Sequence, residues 1–170
     1  MNHPLYSASV PLFKKMLDAL DAVIVKTEQH VAEKKIEPDA ILQARLFPDM
    51  FPFVRQVQIA CDFAKSVPAR LAGVEVPSYE DNERTFADLH ARIAKTLAFA
   101  DGIDAKKFDG TEKREIVLRP GTPRERKFAG GEAYLLGYGI PQFFFHVTTA
   151  YALLRHNGVD LGKSDYMGER

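Results

Sequence analysis

Apolar residues recur at three- and four-residue intervals through Phe13, Met16, Leu17, Leu20, Val23, Ile24 and Val31, with Thr27 on the same stripe. That spacing marks the buried face of a helix and predicts a first helix over residues 10–32. Ser9, just before Val10-Pro11, suits an N-cap with proline in the first turn. Pro38 opens a short helix reaching Leu42 or Arg45. Two prolines in Phe47-Pro48-Asp49-Met50-Phe51-Pro52 impose an irregular segment. Val57, Ala60, Cys61, Ala64 and Leu71 mark a second helix over 53–71, which Pro68 ends or kinks and Gly73 stops. A third runs from a Thr85–Asp88 capping box to about Asp101, carrying Phe86, Leu89, His90, Ile93, Leu97 and Ala100 on one face.

Residues 115–118 and 124–128, parted by Pro120-Gly121-Thr122-Pro123, predict a small charged hairpin that must pack on something to be stable. Gly137, Gly139 and Pro141 predict a break or kink near Ile140, followed by a last helix over 141–157 that Gly158 stops. Four amphipathic helices and one hairpin predict an all-α fold: a single four-helix bundle over 1–170, with the hairpin before the last helix.

The last helix also carries chemistry. Gln142, His146, Thr149, Leu153 and His156 fall within about 80° of one another, a polar stripe on an apolar element. Buried polar groups need partners. The sharpest site hypothesis brings together Gln58 and Asp62 of the second helix with Gln142 and His146 of the fourth. A pair of histidines four apart would share a metal ion, but here one member is glutamine, a poor ligand for zinc. As metal donors only His146 and Asp62 remain. The plainer reading gives His146 a hydrogen bond to a side chain of the second helix.

Other features point to structure more than to function. His156 suits the last turn of a helix, where a cationic ring favours the dipole. His90 has the spacing of a core histidine, and Cys61 that of an inert buried thiol. Arg45, Asp49 and Arg55 suit an ion-pair cluster pinning the proline segment. Tyr6, Tyr134, Tyr138 and Tyr151 suit either core or a cavity wall. Phe143, Phe144 and Phe145 span about 200° of a helix, so that helix is either surrounded or meets another subunit. A homodimer is therefore expected.

The 170 residues hold 23 basic and 23 acidic side chains for a formal charge of zero, which argues against nucleic acid as partner. No apolar run is long enough for a membrane span, and the first ten residues lack the form of a signal peptide. One cysteine forms no internal disulfide. A cytoplasmic location is expected.

Tyr6-Ser7-Ala8-Ser9-Val10-Pro11, Arg45-Leu46-Phe47-Pro48-Asp49-Met50, 56–64 (Gln-Val-Gln-Ile-Ala-Cys-Asp-Phe-Ala) and 145–151 (Phe-His-Val-Thr-Thr-Ala-Tyr) resemble an uncharacterised bacterial domain-of-unknown-function family. That family resembles in turn the DinB/YfiT-like helical bundles, described as metalloenzymes. The resemblance implies a DinB-like bundle with a divalent metal, zinc or nickel, held by one histidine of the second helix and a His-x-x-x-His pair late in the bundle. It implies thiol-dependent transferase or hydrolase activity. Here His146 matches one histidine of the pair, Gln142 stands for the other, and Gln58 takes the second-helix position. Two of three ligand positions thus depart from the pattern. The expected role is a small-ligand binding module with a degenerate metal site; the alternative is a metal-dependent transferase or hydrolase.

Overall fold

The computed structural model describes residues 3–169. A single turn, α1 (Pro4–Ser7), precedes α2 (Val10–Lys34), whose buried side chains are the apolar stripe read from the sequence together with Thr27. Ser9 does not cap α2. Its fully buried hydroxyl instead donates to the Leu5 carbonyl at 2.5 Å, because α1 ends there and leaves that acceptor unpaired. The short α3 is Pro38–Leu42 and α4 is Phe53–Ala72. Pro68 sits inside α4 without ending it. The proline forfeits one backbone bond, but every residue from Ala64 to Ala69 is buried, so packing on both sides holds the helix. Gly73 closes α4 in the left-handed region with φ 67°. Arg114 then donates to the carbonyls of Arg70 and Leu71 at 3.0 and 2.6 Å, adding to the bonds these acceptors receive from the Gly73 N–H and the Thr111 hydroxyl.

The helix α5 (Phe86–Asp101) begins with the capping box expected of Thr85 and Asp88, both bonds being formed at 3.1 and 2.9 Å. Two 3-10 turns, Ala105–Phe108 and Thr111–Lys113, lead to strands β1 (Ile116–Leu118) and β2 (Arg126–Phe128). The strands pair antiparallel with Ile116 opposite Phe128 and Leu118 opposite Arg126. The second strand starts two residues later than the sequence suggests. Glu125 is held in the turn by the Gly121 N–H, which donates to its carboxylate at 2.7 Å.

The chain then passes through α6 (Gly131–Tyr134), a π-helical turn (Leu135–Gly139) and α7 (Ile140–His156). The expected break at Ile140 is thus a π turn, through which Gly139 keeps helical dihedrals of −60° and −53°. Gly139 is there for closeness: a Cβ would lie 2.9 Å from both methyls of Val67 on α4. A final turn, α8 (Lys163–Met167), packs back on α2.

Helices α2, α4, α5 and α7 form the bundle, with α4 packed on α5 and α7 and α2 completing the ring. The Phe13 and Phe143 rings meet edge-on at 4.7 Å in its core. Phe143 is fully buried, Phe144 partly, and Phe145 is 56% exposed, so α7 presents one aromatic side chain to solvent. Among the described residues no helix is long and apolar enough to cross a membrane.

Candidate functional site

His146 points into the α4–α7 seam and is 7% exposed. Its partner is Gln56, not Gln58. The Gln56 amide N–H donates to the Phe51 carbonyl at 3.1 Å, which turns the amide oxygen toward the imidazole. At 2.7 Å, His146 Nδ1 must therefore carry the hydrogen and donate to Gln56 Oε1. Nε2 keeps its lone pair. Burial, with the nearby Arg55 charge second, lowers the His146 pKa from 6.5 to about 4, so the ring is neutral at pH 7. Phe63 stacks along it at 6.1 Å and Phe145 meets it edge-on at 5.2 Å.

The other three expected members lie elsewhere. Two residues along a helix is about 200°, so Gln56 facing α7 turns Gln58 toward the loop before α5. There Gln58 donates to Glu83 at 2.7 Å and accepts from Arg55 at 3.1 Å. Asp62 accepts from Lys65 and Arg92, each at 2.9 Å. Gln142 faces the hairpin beside Tyr138, Arg124 and Arg126. No hydrogen bond among the described residues joins any two of Gln58, Asp62, Gln142 and His146.

What α4 presents to the hairpin is a cleft. Arg55, Ile59, Asp62, Phe63, Ser66 and Arg70 form one helical stripe, covered by Leu118, Arg119 and Tyr138, and enclose about 310 Å³. A second cleft of about 350 Å³ adjoins it, sharing Leu118, Arg119 and Tyr138 and reaching Arg124, Arg126 and Gln142. The π turn sets Tyr138 on this shared wall, where it packs on Phe63 at 5.8 Å and Phe128 at 5.5 Å. Tyr134, one turn earlier, is fully buried, and its hydroxyl accepts from Arg70 at 3.2 Å. Of the four tyrosines weighed from sequence, Tyr138 alone lines these clefts; Tyr6 lines a separate groove on α2, and Tyr151 packs on Tyr166 at 5.6 Å.

Sequence reasoning passed over Arg92. It is 4% exposed and binds Asp62 at 2.9 Å, Asp81 at 3.0 Å, Glu83 at 2.9 Å and the Glu80 carbonyl at 2.9 Å. This ties the loop before α5 onto α4. Buried Lys65 joins the cluster through Asp62 and stands 3.7 Å from the Tyr79 ring centre. The signal was available: Arg92 follows Leu89 by three on an apolar stripe, and the loop supplies Glu80, Asp81 and Glu83. The expected cluster of Arg45, Asp49 and Arg55 does not form, because Arg55 pairs with Asp81 while Arg45 donates to the Met50 carbonyl. His90 is not a core residue. It bridges α5 to α2 through Asp21 at 2.5 Å and Glu28 at 3.2 Å. Cys61 is fully buried, and burial pushes its thiol up to about 12. His156 is exposed in the last turn of α7, as a terminal histidine should be.

The donor set does not suit a tight divalent ion. His146 keeps one free nitrogen, Asp62 already answers two cations, and Gln142 offers a neutral amide to the hairpin. Among the described residues no three His, Cys, Asp or Glu side chains gather as a metal site.

A family model described as Domain of unknown function (DUF1993) matches residues 5–167, and the chain belongs to that family. The crystal structure of a DinB family member protein from Shewanella denitrificans is similar at 40% identity, covering 96% of this chain and 92% of that one, with a TM-score of 0.89. No curated protein matches.

Proposed function

We propose that this DUF1993 member is a small-ligand binding module whose site is the cleft between α4, the π turn and the hairpin. The observation that carries the reading is the cleft itself. Half-buried Arg55 and Arg70 converge with Tyr138 over an apolar floor of Ile59, Phe63 and Leu118, the usual make-up of a ligand pocket. His146 serves this site from behind Phe63 as a neutral, tautomerically fixed ring that holds α7 against α4. A thermal-shift screen of polar metabolites tests the idea. Ile59→Trp fills the cleft from its floor. Compounds that stabilise the native chain but not this variant support the reading, and equal shifts in both overturn it.

A second reading, a metal-dependent transferase or hydrolase using His146 and Asp62 with water, draws support from one observation. An Nδ1–H bond to a carbonyl oxygen is how ligating histidines are oriented. Elemental analysis of protein purified without chelator or metal-affinity tag decides it. Stoichiometric zinc or nickel that disappears in His146→Ala would replace the first reading. The proposal includes a homodimer through the exposed face of α7 around Phe145; light scattering that returns a monomer mass at tens of micromolar removes it.

A further inference from the structure

Resting on the cleft reading, we infer that the ligand is a multiply charged oxyanion, a phosphate ester or a dicarboxylate, gripped by guanidinium groups from α4 and the hairpin. The two adjoining clefts share the wall of Arg119 and Tyr138 and are lined by Arg55, Arg70, Arg119, Arg124 and Arg126. Two carboxylates, Asp62 and Glu125, stand against these five. The chain as a whole is neutral, so this is charge gathered in one place.

Neither carboxylate is available to neutralise the arginines. Asp62 is taken by Lys65 and Arg92, and Glu125 by Lys127 and the Gly121 N–H. Arg55 has Asp81. Among the described residues Arg70, Arg119, Arg124 and Arg126 have no carboxylate within ion-pair distance. Among the described residues the Arg70 side chain donates to the Tyr134 hydroxyl alone, and the Arg126 guanidinium carbon lies 5.5 Å from the centre of the Tyr138 ring. Guanidinium forks match the paired oxygens of phosphate and carboxylate. Here half-buried Arg55 and Arg70 of α4 and exposed Arg119, Arg124 and Arg126 of the hairpin line adjoining concave, partly apolar clefts.

Arg119 has a φ of 51°, in the left-handed region where glycine is at ease, so replacing it with glycine removes the guanidinium without straining the turn.

Calorimetric titration with inorganic pyrophosphate and with malonate, at fixed ionic strength against a chloride control, tests this. We expect saturable binding of pyrophosphate, and Arg119→Gly, which relaxes the turn while removing the guanidinium, should weaken it about tenfold, the effect of losing one charge-assisted bond. Arg84→Gln, on an exposed arginine outside the clefts, should leave it unchanged. Malonate binding tighter than pyrophosphate assigns a carboxylate ligand; pyrophosphate binding tighter than malonate assigns a phosphate ester. Heats no larger than chloride, or undiminished binding by Arg119→Gly, overturn the anion inference. If anions fail while neutral metabolites still distinguish the native chain from Ile59→Trp, the cleft reading survives without it. Anion binding undiminished in Ile59→Trp places the anion outside the α4 cleft and overturns the anion inference, while the metabolite screen still decides the cleft reading.

Discussion

Lowering the pH from 7 to 4 probes the surroundings of His146. In the unfolded chain its imidazole takes up a proton near pH 6.5, whereas in the native protein burial first, and the Arg55 charge second, hold its pKa at about 4. Between those values the unfolded state binds a proton that the folded state refuses. The contribution is therefore complete above pH 6.5 and is lost as the pH falls toward 4. Each pH unit in that window is worth about 1.4 kcal/mol, so the whole window is worth on the order of 3 kcal/mol, a large share of a typical domain's 5–15 kcal/mol. His146→Asn retains an N–H near the Nδ1 position for Gln56 and does not titrate. Urea unfolding followed by circular dichroism at pH 7, 6, 5 and 4 should show the native chain losing about 3 kcal/mol more than the variant over this range. NMR of the His146 ring should show no titration above pH 5, and Arg55→Gln should raise its midpoint only in part, since burial is the larger cause. Parallel stability profiles, or an NMR midpoint near 6.5, would refute the burial argument.

His90 should behave oppositely. Burial lowers its pKa, but Asp21 and Glu28 together outweigh that and raise it, so its contribution is complete below about pH 6.5 and fades as the pH rises through the native value. His90→Gln should thus cost more stability at pH 5 than at pH 8.5 in the same urea assay. Arg92→Ala leaves Asp62, Asp81 and Glu83 without their shared cation; a loss of about 3–5 kcal/mol and faster limited proteolysis within residues 74–85 are expected. Gly139→Ala drives a methyl to within 2.9 Å of Val67 and should lower stability by about 1–3 kcal/mol in thermal unfolding. Cys61 should react with an aromatic disulfide reagent only at the rate of global unfolding, so a burst on mixing at pH 8 would contradict its burial.

The bundle was legible because apolar periodicity reports directly which face of a helix is buried, and α2 lies close to the span drawn from that pattern. Elements set by local chemistry were legible too, as in the Thr85–Asp88 box. Sequence signals failed where packing or a neighbouring turn supplied the deciding contact. Ser9 looked like a cap until α1 supplied a nearer acceptor in Leu5, and Pro68 looked like a stop until burial on both sides outweighed one lost bond. The site was harder for the same reason. Sequence placed His146 against the second helix, yet put Gln58 rather than Gln56 in its site, because the partner depends on how α4 is rotated against α7, which the apolar stripe alone does not fix. The π turn was equally hidden: Gly137 and Gly139 advertise a break, and only the nearness of Val67 reveals why one glycine is required.

Charge links the separate observations around α4. Burial first, and the positive charge of Arg55 second, lower the proton affinity of His146. The carboxylates that would reverse it are spent: Asp62 on Lys65 and Arg92, Asp81 on Arg92 and Arg55, Glu83 on Arg92 and Gln58. Arg70, Arg119, Arg124 and Arg126 then add positive charge on the open side of the cleft with nothing in the described chain to answer it. On the reading proposed above, a cleft lined by arginines whose neighbouring acids are paired elsewhere would favour anions over cations.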